Sequence, residues 1–356
     1  MRMKMIPHIL AFVSLVGCGP EAATNAEVLS VTVTAGPEPL LVPFIPQVVL
    51  RKGGGFYATG VTVGEHAQDR VLELDEALRV VGVVGGAGPG PGEYKRPQVL
   101  LTRGDSLLVG TERGTTLVFD SERRHIGDLA LPTRVSGTLR PMRGDTLLLV
   151  GPIQTTERFG YPLHVISPTG DTVRSFGTED RTFSPEDVMQ LYRHTATVGD
   201  SVVWTSRVSD YKLELWRLDG ERHKSFAPET PWFRPWNGQQ TAVDSVLPQT
   251  RVQGIGVINH DELIVLLDRP RPDWRALGDQ NQPHQPRAYS IGQTRLYVEQ
   301  VLQRVDTATG AVTAESVLTP QDVYWLRFLH DGRLVGLRIT ENGDELVVGS
   351  VSVVRQ

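Results

Sequence analysis

The run GGAGPGPGEYKRP, Gly85 to Pro97, decides how the rest of the chain is read. It holds five glycines and three prolines in thirteen residues. Glycine loses too much backbone freedom, and proline lacks the N–H a ladder needs, for this stretch to be a helix or a central strand. It is expected to be a loop. Segments of one design flank it: LELDEALRVVGVVG (Leu72 to Gly85) before, and VLLTRGDSLLVGTERGTTLVFD (Val99 to Asp120) after. A stiff joint between two like β-units is the mark of a repeat.

Working outward, the unit recurs six times: an apolar strand, a tight turn, a second apolar strand, a loop, and a third strand often ending in an apolar residue and Asp. The tight turns are Gly53-Gly54-Gly55, Gly104-Asp105, Gly144-Asp145, Gly199-Asp200, His260-Asp261 and Asp331-Gly332. The third strands end at Leu74-Asp75, Phe119-Asp120, Ile166-Ser167, Leu218-Asp219 and Val305-Asp306. Only Pro185 to Arg193 has a helical pattern. The fold class read from this is all-β, a six-bladed β-propeller. The sixth unit runs out of residues after its third strand. The alternating run Val28 to Thr34 near the start is expected to supply its fourth, closing the ring and covering an edge. A β-sandwich, or two smaller β-domains, is the alternative.

The joint, with the strand, Gly-Asp turn, strand and Phe119-Asp120 that follow it, resembles the NHL-type repeat. The chain also resembles six-bladed propeller lipoproteins of environmental bacteria. This resemblance extends over residues 27–356 as architecture and is sharp only from Gly85 to Asp120. Some propeller enzymes of this shape act on lactones or amidated glycines with a central Ca²⁺ or Zn²⁺, so the resemblance leaves a metal-assisted lyase or lactonase in the central channel open as an alternative.

The 356 residues carry a formal net charge of −5, which argues against a nucleic-acid binder working by phosphate neutralisation. Arg2 and Lys4, the apolar run Ile9 to Val16 and Leu15-Val16-Gly17-Cys18 form a lipoprotein signal pattern. Residues 1–17 are expected to be the signal peptide, Cys18 the lipidated residue, 18–26 a tether and 27–356 the propeller. Cys18 is the sole cysteine, so no disulfide forms within a monomer. The expected address is the cell envelope outside the cytoplasm, lipid-anchored, with the outer membrane favoured where one exists because Gly19 follows the cysteine.

Propeller geometry turns strand order into a map. The turns between first and second strands share one face, and the second-to-third loops and the blade-to-blade connectors share the other. Every long insertion (residues 85–97, 151–161, 178–189, 228–250 and 268–295) falls on that second face, where repeat proteins usually bind. Two of them carry the candidate ligand residues: Trp232, Phe233, Arg234 and Trp236 in one, and Arg271, Trp274, Arg275, His284 and Arg287 in the other. Rings beside guanidinium groups suit stacking on sugars or peptide side chains, and the same rings also suit packing the loops down. The connector tip Glu93, Tyr94, Lys95 and Arg96 is expected on the same face. No catalytic or metal-ligating set stands out: no His pair has zinc-ligand spacing, no Gly-x-Ser-x-Gly elbow occurs, and His260 and His330 sit at turn positions. The function read from the chain is non-catalytic binding of a protein, peptide or saccharide by a monomer, with no cofactor; Ca²⁺ or Zn²⁺ enters only under the enzyme alternative.

Overall fold

A computed structural model describes residues 27–42, 46–62, 70–95, 97–111, 114–131, 138–153, 155, 157–158, 160–177, 191–236, 249–274, 297–318 and 322–355. Strand β1 (Glu27–Ala35) precedes six four-stranded antiparallel sheets arranged in chain order. The first blade is β2 (Gln47–Leu50), β3 (Phe56–Thr59), β4 (Val71–Leu74) and β5 (Val80–Val84). Two short strands, β6 (Gly86–Ala87) and β7 (Glu93–Tyr94), pair in parallel inside the connector. The second blade is β8 (Pro97–Arg103), β9 (Ser106–Thr111), β10 (Thr115–Phe119) and β11 (His125–Ala130). The third is β12 (Thr138–Pro141), β13 (Leu147–Val150), β14 (Leu163–Ile166) and β15 (Thr172–Phe176). The fourth is β16 (Arg193–Val198), β17 (Val202–Arg207), β18 (Leu213–Arg217) and β19 (Arg222–Phe226). The fifth is β20 (Arg251–Asn259), β21 (Glu262–Pro270), β22 (Val298–Asp306) and β23 (Val312–Val317). The sixth is β24 (Val323–Phe328), β25 (Leu334–Thr340) and β26 (Gly343–Arg355), with β1 as its outermost strand. The protein is a six-bladed β-propeller.

The middle strands read as unbroken apolar runs because both of their faces are buried. In β13, Leu147 and Leu149 pack on the second blade while Leu148 and Val150 pack on the fourth. The same division holds at every joint. Among the described residues the buried side chains fall into six clusters, one between each pair of neighbouring blades. Such a core is a ring of interfaces, so no blade can be removed without exposing two of them.

Turn chemistry also repeats. Asp75 and Asp120 each accept backbone N–H groups two and four residues on, at 2.9 Å, and pair with the arginine four residues on. The fourth residue of each turn is left-handed, at Leu78 (φ 59°) and Arg123 (φ 65°), where Gly170 and Gly220 stand in later blades. Asp219 departs from the expected register: Arg217 occupies the position of Asp120 in the closing backbone pair, and Asp219 caps from two residues further on. Of Pro185 to Arg193, Arg193 belongs to strand β16 rather than a helix, and residues 185–190 lie outside the described residues.

Ring closure is the expected one. β1 pairs antiparallel with β26 from Glu27↔Arg355 to Ala35↔Val347. The segment after β1 then laces blade six to blade one, with Val42 N donating to Asp344 O at 2.8 Å and Leu41 exchanging bonds with Thr62 at 2.9 and 2.7 Å.

Candidate functional site

The strand order places the second-to-third loops and the blade connectors on one face, and the described parts of the two aromatic insertions lie there. Residues 228–236 run from the outer strand β19 to the inner strand β20. A pair of hydrogen bonds fixes their path: Arg234 N donates to Thr250 Oγ1 at 3.0 Å, and Thr250 Oγ1 donates to Arg234 O at 2.8 Å. Trp236 N reaches Ser209 O at 3.1 Å, and its Nε1 donates to Thr250 O at 2.8 Å. Trp232, Phe233 and Trp236 are half-buried and Arg234 is exposed. Phe233 stacks against buried Tyr211 (ring centres 5.5 Å apart), with Trp232 6.3 Å beyond. The inner side of this strip therefore packs on the interface of blades four and five, and its outer side meets solvent.

Two arginines complete the strip: Arg269, at the start of the second arginine-rich insertion, and Arg251, which the sequence reading left out. Arg269 lies over Trp232 at 5.3 Å and Arg251 over Trp236 at 5.7 Å. Arg269 is held by Glu299 at 2.6 Å, so its plane is fixed against the indole. In the second insertion, Arg271 is taken up by Asp273 through bonds of 3.0 and 3.1 Å, and Trp274 is half-buried beside it. Arg275, His284 and Arg287 lie outside the described residues, as do Cys18 and Arg96. The insertion expected from Asp268 begins later. Strand β21 runs on through Pro270, paired with Val298. Pro270 has no neighbour on its other side, because β20 ends opposite Asp268, so its missing N–H breaks no ladder bond.

The connector Gly85 to Pro97 folds on itself. Gly90 N donates to Glu93 Oε2 at 2.8 Å, so the Glu93 carboxylate faces its own loop. Tyr94 is a correction to the expected exposed tip. It is 2% exposed, its hydroxyl donates to Val84 O and accepts from Val71 N at 3.0 Å, and its ring meets Phe119 edge-on at 6.5 Å. Tyr94 is thus the core peg between blades one and two. Gly85 (φ 66°) must be glycine, since a Cβ there would stand 2.6 Å from the Tyr94 ring. Lys95 remains exposed. A cleft of about 340 Å³ opens between residues 88–95, Thr111, Thr115 and the His125–Asp128 pair (2.8 Å).

The central channel is the third place with unusual chemistry. Arg140 on β12, His194 and Thr195 on β16 and Arg327 on β24 belong to innermost strands. Burial holds the Arg140 and Arg327 guanidinium groups down to about 10, with repulsion from Arg140 adding to the effect at Arg327. Both stay charged at neutral pH. Burial, and then the Arg140 charge, hold His194 down to about 4. Toward the insertion-bearing end, fully buried Asp268 accepts from Gln253 Nε2 (2.6 Å), Tyr324 OH (2.8 Å) and Gln300 Nε2 (3.1 Å). Burial raises its carboxyl despite these bonds. The cluster ties blade five to blade six. Among the described residues, no three His, Cys, Asp or Glu side chains gather as a metal cradle.

No protein-family model matches the chain, and no curated protein matches its sequence. Solved structures do match in shape. A Bacteroides fragilis protein described as exported superposes with a TM-score of 0.58 at 11% identity, over 92% of this chain and 96% of that one. A member of the DUF4221 family from Bacteroides vulgatus gives 0.59 at 10% identity, over 92% and 99%. A streptogramin B lyase gives 0.46 at 10% identity, over 91% and 98%, a likeness too distant to bear on chemistry. At these identities the likeness shows the propeller fold.

Proposed function

We propose that this chain is a cell-envelope lipoprotein whose propeller binds a saccharide or peptide, non-catalytically, through the insertion-bearing face. The observation that carries the binding is the strip Trp232–Phe233–Trp236. Its backbone is clamped to Thr250 and its indoles are backed by Arg251 and Arg269, while all three rings stay half-exposed. Rings already held in place lose little freedom on binding, and half-exposed Trp beside Arg is the composition of binding hot spots. Trp232→Ala and Trp236→Ala, compared with the parent protein on an array of envelope oligosaccharides and peptides, should weaken the strongest signal about tenfold or more. Unchanged binding by both variants, with far-UV circular dichroism intact, would remove this role.

The envelope address rests on Arg2, Lys4, the apolar run Ile9 to Val16 and Cys18, and the exported description of the Bacteroides fragilis neighbour is in keeping with it. Expressed in a bacterium, the protein should sediment with membranes and gain the mass of a diacylglyceryl group on Cys18, and Cys18→Ser should release it. An unmodified Cys18 in the membrane fraction would refute the anchor. The alternative, a metal-assisted lyase or lactonase in the channel, meets a physical obstacle: the Arg140 and Arg327 guanidinium charges repel a divalent cation there.

A further inference from the structure

The inner wall of the ring treats its arginines unlike the rest of the molecule. Several partly buried arginines elsewhere are matched to carboxylates: Arg51 and Arg123 to Glu73, Arg269 to Glu299, Arg304 to Glu27 and Glu262, and Arg333 to Glu76. Among the described residues, Arg140 and Arg327 have only neutral oxygens as partners. Arg140 makes two long contacts to Thr195, Nε to Oγ1 at 3.4 Å and Nη2 to the carbonyl at 3.5 Å. Arg327 donates to Gln47 Oε1 at 3.2 Å and to Pro46 O at 3.0 Å. Each guanidinium carries five N–H groups, so most of them face no acceptor among the described residues. The buried carboxylate of Asp268 is taken up by Gln253, Gln300 and Tyr324. At the rim, Asp331 is paired with Arg333 at 2.6 Å.

We propose that the central channel binds an anionic group, a carboxylate or a phosphate, between Arg140 of blade three and Arg327 of blade six. Two like charges held among protein atoms repel each other and lose hydration, and an anion between them removes both costs. The guanidinium fork suits the choice, because its parallel N–H groups match the paired oxygens of carboxylate and phosphate. His194, within reach of the Arg140 charge, has a buried Nε2 with no hydrogen-bond partner among the described residues. Beside Arg140, the space lined by Thr195, Thr197, Gly256, Leu329 and His330 is about 10 Å³, room for about one water. The site stands apart from the aromatic strip and is tested without it.

The test uses the mature chain with sodium phosphate and with sodium acetate, each against sodium chloride at equal ionic strength, read by thermal unfolding and isothermal titration calorimetry. The parent protein should show saturable binding and a melting temperature that climbs with the anion, and the stronger of the two salts identifies phosphate or carboxylate as the preferred group. Arg140→Gln and Arg327→Gln should each weaken binding about tenfold or more, and Arg327→Lys, which keeps charge but loses the fork, should fall between. The two Gln variants should melt no lower than the parent in chloride, because each relieves a like-charge repulsion. Equal anion stabilisation of parent and Gln variants would place the effect elsewhere and overturn the proposal. So would no anion response together with destabilised Gln variants, the pattern expected where another group of the protein already fills the site.

Discussion

Deleting residues 27–35 should give a protein that melts at least about 10 °C lower than the parent and elutes as larger oligomers or aggregates. Strand β1 is the only piece of blade six that comes from the other end of the chain, and its contribution can be itemised. It forms a nine-position ladder with β26. Leu29 is 3% exposed in the cluster between blades five and six, and Val31 and Val33 pack on the same cluster. Leu29 N donates to Ser316 Oγ at 2.9 Å on the neighbouring blade, and Glu27 pairs with Arg304. Burying one Leu and partly burying two Val is worth on the order of 5 kcal/mol, a large share of the roughly 5–15 kcal/mol that holds a typical domain folded. The deletion also strips the outer edge of β26, a thirteen-residue strand with the run LVVGSVSVV. A long uncharged edge of that kind pairs with other chains. Size-exclusion chromatography and calorimetry on a variant starting at Gly36 decide the matter. A synthetic Glu27–Ala35 peptide added in trans should restore much of the melting temperature. A monomer of unchanged stability would mean that β1 is ornamental and that the interfaces of blades five, six and one hold the ring alone.

The closure was legible because it follows from counting: six turn marks, five complete units and one short of a strand. Blade order and loop faces were legible for the same reason, since antiparallel neighbours fix which turns share a face. What a single chain hides is which distant residues meet. Arg140 in TLRP and Arg327 in VYWLRF are 187 positions apart, and nothing local says that they share a channel. The available signal was weak but physical, a charge inside an otherwise apolar inner strand. Tyr94 was misplaced for a different reason. A Gly- and Pro-rich stretch reads as surface, but the glycines let the backbone approach the core so closely that the one aromatic side chain is drawn under it. Asp268 looked like the start of a loop because Pro270 and Pro272 follow it. The strand runs on through Pro270 because that proline falls where only one neighbour remains. The aromatic strip at 231–236 and Arg269 were found from composition alone, yet the Arg251 that backs Trp236 comes from a strand whose sequence gives no sign of it.

Acidification should cost this protein stability well before its carboxylates protonate, because two histidines are held neutral. His164 is fully buried, with Nδ1 2.7 Å from Ser175 Oγ and Nε2 3.1 Å from Gly151 O. Burial, assisted by the Arg158 charge, brings it down to about 4, and His194 falls to about 4 for similar reasons. In the unfolded chain both titrate near 6.5. The unfolded state therefore takes up protons first. The stability these groups contribute is intact above pH 6.5 and drains away as pH falls toward 4. For His164 the loss by pH 4 is about 3 kcal/mol. His194 is only half-buried as a residue, so its share is smaller. The window is clean on the acidic side, since Asp75, Asp120, Asp219 and Asp306 are held below their usual range and give up their stabilisation only at still lower pH. Asp268 works in the opposite sense: its raised carboxyl gains a proton in the folded state first, which relieves its burial and offsets part of the loss. Urea unfolding at pH 7.0, 5.5 and 4.5 should show midpoints falling at each step. In His164→Gln the midpoint at pH 7.0 should be lower, with the drop from 7.0 to 4.5 cut by about half. Midpoints that stay level across the range, or a His164→Gln variant that keeps the full slope, would show that this ring does not carry the acid sensitivity and that the histidine is charged, or free to charge, in the folded ring.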